Sequence, residues 1–213
     1  MTAEHLPLFP LDLVLYPGET VPLHIFEPRY KEMIRDCLSG DRSFGVVLAV
    51  EGVLSEVGCV AEIRQILKRY PDGRLDIAVE GRQRFRVREV SEDRQYMQGR
   101  VDVLPEAPEE VDPNIQQRVI AQHMKLLELA GRDVSPSIYE DVDMVSFFIA
   151  QNAGLTLVQK QSVLEKESET DRISFLVSFL EGFIPQVEKM GTLREKIRSN
   201  GHFKDFPPDV SED

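Results

Sequence analysis

Three stretches of sequence decide the fold of this chain: Leu6-Pro7-Leu8-Phe9-Pro10-Leu11, Val14-Leu15-Tyr16-Pro17-Gly18 and Pro22-Leu23-His24-Ile25-Phe26-Glu27-Pro28-Arg29-Tyr30. Short apolar runs alternate with prolines, which cannot donate a hydrogen bond to a sheet and therefore lie at strand ends, edges or bulges. Glu27-Pro28 predicts the start of a helix, because proline is favoured at a first helical position. The pattern predicts two or three short, sharply bent strands that run into a helix.

Length and composition indicate a globular protein of one or two domains. The chain has 213 residues, of which 42% are apolar and 29% are charged. A chain of this size buries roughly 70% of the surface of its unfolded state, which is enough for a core. The formal net charge is −12, which repels phosphate backbones and anionic lipid surfaces. General binding to nucleic acids and to membrane surfaces is therefore disfavoured.

The sequence predicts a cytoplasmic protein. No apolar run approaches the ~20 residues that span a bilayer, and Met1-Thr2-Ala3-Glu4-His5 lacks the basic and apolar regions of a signal peptide. The two cysteines, Cys37 and Cys59, form no Cys-x-x-Cys motif. We therefore expect two buried thiols in a reducing compartment rather than a disulfide.

Residues 1–106 contain most of the predicted strands. Apolar and β-branched runs occupy Phe44–Val50 and Cys59–Tyr70, and Pro71-Asp72-Gly73-Arg74 is typical of a tight hairpin turn. One helix, over 28–38, interrupts the strands. About six short strands with an inserted helix predict a small barrel, which leaves few exposed strand edges.

A second hairpin is predicted from the alternation of apolar and polar residues on either side of Gly81-Arg82-Gln83. A loop of these three residues keeps the apolar side chains on one face of the hairpin. It also pairs Glu80 with Arg84 and Asp76 with Arg88.

Residues 107–199 change to a helical period, and four short helices are predicted. The starts of three are marked by N-cap patterns, namely Asp112-Pro113, Thr156 with Gln159, and Ser168 with Asp171. The remaining helix is marked by Ile138, Val142, Val145 and Ile149. Short loops between the helices predict a bundle, and residues 200–213 are expected to form a loose tail.

Short stretches in a fixed order resemble the N-terminal domain of Lon proteases, the LON substrate-binding domain. They are Phe26–Tyr30, Gly58–Ile63, Asp72–Ile77, Gly81–Val87 and Gln159–Glu165. The resemblance implies an α+β fold, with a PUA-like six-stranded β pseudo-barrel and one inserted helix followed by a C-terminal four-helix bundle. Full Lon proteases continue into an ATPase module and a peptidase domain. The given sequence contains no Gly-x-x-x-x-Gly-Lys-Ser/Thr motif of an ATP-binding loop, so the resemblance implies a stand-alone substrate-recognition domain.

The candidate recognition residues are Phe26, Arg29 and Tyr30, at the predicted start of the first helix. Their large side chains suit a peptide-binding surface, and the alternative is a purely structural corner between strand and helix. His24 lies in an apolar strand and is expected to be a buried imidazole. The histidines lack metal-ligand spacing, and the cysteines lack a local activating pattern. No catalytic, metal or cofactor site is therefore predicted.

One basic stripe is present, formed by Arg82, Arg84, Arg86 and Arg88. The predicted hairpin gives two of these arginines acidic partners, so a solvated, paired face is expected rather than an RNA contact.

The leading functional prediction is a non-enzymatic module that binds unfolded or extended segments of other proteins. Such a module would serve a protease supplied in trans and would need no cofactor. Weak sites gain from multivalency, so a weak homo-oligomer fits this function. Two alternatives stay open at this point: a Lon-related, S16-type peptidase-associated protein with cryptic peptidase activity, and an RNA-binding PUA-like module.

Overall fold

A computed structural model of the chain describes residues 4–91, 93–106 and 109–200, with residues 192–200 described by their backbone only. The strands are β1 (Glu4–Leu11), β2 (Thr20–Ile25), β3 (Ser43–Val50), β4 (Val53–Leu54), β5 (Val57–Arg69), β6 (Leu75–Ser91) and β7 (Gln98–Val103). The helices are α1 (Pro28–Ser39), α2 (Pro113–Leu129), α3 (Val145–Asn152), α4 (Leu157–Glu165) and α5 (Glu169–Asn200). The tail predicted over 200–213 lies outside the described residues from residue 201 onward.

The strands form one mixed sheet that curls into a pseudo-barrel. Its hydrogen-bonded order is β1-β7-β6-β5-β3-β4, and β2 pairs with β6 off this path. The first half of β1 pairs antiparallel with β7, and the second half pairs parallel with β3, which closes the sheet. The predicted α+β class is confirmed. The sheet has seven strands rather than six, and β2 leaves it short of a clean barrel.

Helix α1 is the inserted helix that the sequence predicts. It begins at Pro28, and its buried side chains recur at helical spacing, at Tyr30, Met33, Ile34 and Cys37. These side chains pack on the apolar inner face of the strands, together with Phe44 and other residues of the same cluster. The proline fixes the first turn and the apolar stripe fixes the face that the helix buries.

The prediction of a hairpin loop at residues 81–83 is wrong, because β6 runs without interruption from Leu75 to Ser91. Gly81 is needed there for close approach rather than for a turn. A Cβ at Gly81 would lie 2.1 Å from the Tyr16 carbonyl oxygen, and the Gly81 N–H donates to the Glu19 carbonyl at 2.8 Å. The loop between β1 and β2 therefore rests on the middle of β6.

The predicted pairs of that hairpin are also wrong. Asp76 lies opposite His24 of β2 and Lys68 of β5, and Glu80 lies opposite Thr20 and Glu62. The second half of β6 pairs with β7 instead of folding back on the first half. The hairpin predicted at residues 71–74 is confirmed, since β5 and β6 pair antiparallel on either side of it.

Four α-helices follow the sheet in the described part of the chain, as predicted, but the last of them, α5, has 32 residues and is not short. The side chain of Asp112 caps α2, and Thr156 and Gln159 form a complete capping box on α4. The second predicted helix begins later than expected, because residues Pro136–Tyr139 form a single 3₁₀ turn and α3 starts at Val145. Among residues 4–91, 93–106 and 109–200, no helix is long and apolar enough to cross a membrane.

The helices and the sheet share one apolar core. The largest cluster of buried apolar residues combines Leu48 and Val57 from the sheet and Tyr16 from the loop between β1 and β2 with Phe147 and many other side chains of the helices. The Tyr16 ring stacks on Phe147 with centroids 5.4 Å apart. Burial of this shared surface is the main force that holds the helices against the sheet.

A buried polar cluster crosses the same boundary, and we call it the junction cluster. Its centre consists of Arg84 of β6 and Arg172 of α5, each with a side chain only 2% exposed. Both guanidinium groups bind the Glu106 carboxylate, which follows β7. Arg84 also donates to the Leu164 and Lys166 carbonyls at 2.8 Å. These carbonyls lie at the C-terminal end of α4, where helix carbonyls lack partners within the helix.

The remaining donors of Arg172 are used within the helical part. Its Nε atom donates to the Glu169 carboxylate at 2.9 Å and to the Ser146 hydroxyl at 3.1 Å. Its guanidinium lies 4.4 Å from the centroid of the Phe147 ring. The junction cluster therefore ties β6 to α3, α4 and α5 through charged hydrogen bonds of two buried arginines.

We expect Glu106→Gln to lower the free energy of unfolding by about 3 kcal/mol, because it leaves two buried guanidinium groups without a shared carboxylate. Urea titration followed by circular dichroism measures the change. The matched control is Asp102→Asn, which breaks an exposed ion pair with Arg88 and should cost less than about 1 kcal/mol. Equal losses in both variants would contradict a central role for the junction cluster.

His123 of α2 is the one buried histidine among the described residues. Its Nδ1 atom lies 2.7 Å from the Tyr139 hydroxyl, and its Nε2 atom has no partner in the described part of the chain. Burial, with a smaller effect from the charge of Arg132, lowers the pKa of His123 to about 4. The folded state therefore disfavours the protonated imidazole.

The lowered pKa of His123 predicts that the protein loses stability in acid. The unfolded chain binds this proton near pH 6.5 and the folded chain near pH 4, so the free energy of unfolding falls as the pH drops through this window, by up to about 3 kcal/mol. His123→Leu should remove that part of the loss between pH 7 and pH 4 in urea titrations. An unchanged difference between the two pH values would show that His123 does not cause it.

Candidate functional site

The predicted recognition residues surround a cleft at the corner between β1, β2 and α1, which we call the Phe26 cleft. It has a volume of about 250 Å³ and is lined by Phe9, Pro10, Leu11, His24, Ile25, Phe26, Glu27, Arg29 and Tyr30. The cleft lies between the end of β1 and the end of β2, two strands that do not pair with each other in the described part of the chain.

The structure brings Phe26, Arg29 and Tyr30 together, but in different roles. Phe26 follows the last residue of β2, and 58% of its surface is exposed. Tyr30 is buried in the first turn of α1, with its ring 4.2 Å from that of Phe9. The Arg29 guanidinium lies 4.5 Å from the centroid of the Tyr30 ring and pairs with Glu27 at 2.9 Å. Tyr30 therefore forms the floor of the cleft, while Phe26 and Arg29 reach solvent.

An aromatic and charged row continues from Phe26 along the outer face of the sheet. The His24 ring stacks on Phe26 at 5.8 Å, and its Nδ1 atom lies 2.5 Å from Asp76. The Tyr70 hydroxyl donates to the same carboxylate at 2.8 Å. The hydrogen bond from His24, followed by that from Tyr70, holds the pKa of Asp76 below its usual value. The cleft therefore has an apolar floor and a charged border.

The expectation that His24 is a buried imidazole is wrong. Its side chain is 44% exposed, because side chains alternate along β2 and His24 faces outward while Ile25 faces the core. The flanking apolar residues suggested burial, but they do not reveal which face of a strand each residue occupies.

Both strands that border the Phe26 cleft have an edge without a partner strand. Within the described part of the chain, β2 pairs only with β6. Residues 9–11 of β1 pair only with β3. Unpaired strand edges offer backbone N–H and C=O groups to an added extended chain. Pro22 removes one N–H donor from β2 and limits this pairing.

The cysteines do not form a nucleophilic site with a histidine. Cys37 and Cys59 are free thiols, and both are buried, as the sequence predicts. Burial raises the pKa of Cys37 to about 12 and raises the pKa of Cys59 further still. Neither thiol is in the reactive thiolate form near neutral pH, and His24 is already bonded to Asp76.

No metal site is formed by the described residues, among which no three histidine, cysteine, aspartate or glutamate side chains are placed to hold an ion.

The arginine stripe of β6 is divided between the surface and the interior. Arg82 is exposed and binds Glu62 and Glu80 at 3.0 and 2.8 Å, whereas Arg84 is buried in the junction cluster. The predicted face of solvated arginines is therefore wrong for Arg84. No local pattern marks this burial, because the acceptors of Arg84 lie 22 to 82 residues later in the chain.

Comparisons with known proteins agree on one family. The model of the ATP-dependent protease La (LON) substrate-binding domain matches residues 5–182. A crystal structure of a Lon N-terminal domain protein from Xanthomonas campestris is 29% identical and has a TM-score of 0.67, over 82% of this chain and 98% of that one. The N-terminal domain of the Mycobacterium avium complex Lon protease, which is 20% identical, has a TM-score of 0.62 over 84% of this chain and 98% of that one, and it shows the same fold.

Whole Lon proteases match over the same region. The Lon protease of Cytophaga hutchinsonii is 23% identical over 92% of this chain, and that of Escherichia coli K12 is 26% identical over 91% of it. The matched region covers only 26% of each of these relatives, and it is the substrate-binding part rather than the catalytic part. By the extent of the family match and the agreement of the fold, the chain belongs to the LON substrate-binding domain family.

Proposed function

We propose that this chain is a recognition module that binds unfolded or extended protein segments at the Phe26 cleft without altering them chemically. The observation that carries the proposal is the 58% exposure of Phe26 beside an apolar cleft. A large aromatic side chain that the fold leaves in water contributes little to stability, and it gains free energy when a partner covers it.

The surroundings of Phe26 favour an extended polypeptide as the partner. The apolar floor formed by Phe9 and Tyr30 suits an apolar side chain, and the free strand edges suit a main chain. Arg29 and Asp76 add charged groups at the border, which fix the direction of a bound segment more than its affinity. This combination accepts many sequences, as a module for unfolded clients requires.

Several finer features of the proposal follow from the same chemistry. A single small cleft binds weakly, so we propose that several copies, or a protease supplied in trans, engage one client together. We assign recognition to residues 1–106 and a supporting role to residues 107–199. The free thiols of Cys37 and Cys59 suit a reducing compartment, and we propose a cytoplasmic location.

The two alternative functions have less support. A cryptic peptidase needs a nucleophile and a base within hydrogen-bond reach in a cleft, and the buried thiols of Cys37 and Cys59 do not provide one. An RNA-binding surface needs several free cations. In the arginine stripe, Arg82 and Arg88 are paired with carboxylates and Arg84 is buried, so only Arg86 lacks a carboxylate partner among the described residues.

Phe26→Ala should weaken binding of an unfolded protein by roughly tenfold, because it removes the central apolar contact of the cleft. The probe is fluorescein-labelled ribonuclease A that has been reduced and carbamidomethylated so that it stays unfolded. Fluorescence anisotropy gives the Kd, and thermal unfolding should show an unchanged Tm because Phe26 is exposed.

Val158→Ala is the matched control, since Val158 is 73% exposed on α4 and lies outside the cleft. It should leave the Kd unchanged. Equal Kd values for the wild type, Phe26→Ala and Val158→Ala would show that the Phe26 cleft is not the binding site. Fragmentation of the labelled ribonuclease during incubation would instead support the peptidase alternative.

A further inference from the structure

Arg86 of β6 differs from its neighbours in the arginine stripe. Arg82, Arg84 and Arg88 each bind a carboxylate. Among the described residues, no carboxylate lies within 4.0 Å of the Arg86 side chain, and its buried Nε atom has no hydrogen-bond partner. Arg86 is therefore a partly buried cation that the rest of the fold does not neutralise.

The missing partner does not reflect a shortage of acidic residues. The chain has 37 aspartates and glutamates against 25 lysines and arginines. Asp102 of β7 lies directly opposite Arg86 in the sheet, yet its carboxylate binds Arg88 at 2.7 Å. A buried N–H without an acceptor is costly. Groups that break this rule are found at strained positions and at functional sites, where a water, an ion or a ligand supplies the missing partner.

Arg86 lies in a shallow surface cleft with mixed lining, which we call the Arg86 cleft. The cleft also contains Arg88, the Ser55 side chain and the apolar side chains of Leu54 and Val90. Val90 is 45% exposed. Two guanidinium groups and a hydroxyl can therefore donate to an anion, while the apolar residues can contact a neighbouring apolar group.

We propose that the Arg86 cleft binds a carboxylate of an extended polypeptide, either its C-terminus or an acidic side chain, with an adjacent apolar side chain on Leu54 and Val90. The planar guanidinium of Arg86 matches a carboxylate in a two-pronged hydrogen bond. Glu56 is also part of the lining, and its negative charge opposes the ligand. The proposal rests on the proposed function and narrows its substrate class, but it uses a surface separate from the Phe26 cleft.

Matched peptides test this proposal on the whole chain. The probes are acetyl-Gly-Ser-Leu-Val with a free C-terminus, the same peptide as a C-terminal amide, and the amide with Asp in place of Ser, and isothermal titration calorimetry gives the Kd of each. A peptide with a carboxylate should bind roughly tenfold more tightly than the neutral amide. The free acid and the Asp peptide separate the two sources of the carboxylate. If neither exceeds the neutral amide, the proposal is wrong.

Variants locate the binding in the Arg86 cleft. Arg86→Met keeps the apolar stem and should abolish the preference for carboxylate peptides, with Tm unchanged or raised because an unpartnered buried group is removed. Glu56→Gln should strengthen the preference. Arg100→Gln, which breaks an exposed pair with Glu89, is the matched control and should preserve it. A lowered Tm with the preference retained in Arg86→Met would show a structural role only.

A measurement on the wild-type protein does not depend on the folding of any variant. The ¹⁵N-detected Nε–H resonance of Arg86 should shift when the free-acid peptide is added and stay in place with the neutral amide. An unmoved resonance with all three peptides overturns the proposal. Phe26→Ala should retain carboxylate binding, so failure at the Phe26 cleft and failure at the Arg86 cleft give different results.

Discussion

The junction cluster is the constraint on which the rest of the structure depends. Two arginine side chains leave water completely, and this is tolerable only when every donor finds an acceptor. Glu106 supplies a carboxylate to both, and the C-terminal carbonyls of α4 accept from Arg84. Because these acceptors come from different elements, their geometry fixes β6 relative to α4 and α5, and it stabilises the end of α4 as well.

The position of β2 leaves Phe26 exposed to solvent beside α1. The loop between β1 and β2 rests on Gly81, so β2 is placed against the first half of β6 rather than beside β1. The strand edges near Phe26 thus stay unpaired, and the aromatic residues of the corner form a cleft. The proposed binding of extended chains follows from these unpaired edges.

The arginines of β6 differ in whether a carboxylate neutralises them. Along β6, Arg82, Arg84 and Arg88 have carboxylate partners, while Arg86 has none among the described residues. Paired charges on this strand serve the fold. The exception lies in a surface cleft, where a ligand can reach it, and this position supports a role in recognition.

The sequence by itself determined the features that depend on neighbouring residues: the helix start at Pro28, the caps at Asp112 and Thr156, and the hairpin at residues 71–74. These rest on interactions within a few residues, which local patterns record. Only the tertiary structure decided that β6 continues through Gly81 and that His24 faces solvent. It also decided that Arg84 is buried while Arg86 has no carboxylate partner among the described residues. Each of these depends on which distant strand or helix approaches, and alternation within one strand does not specify that contact.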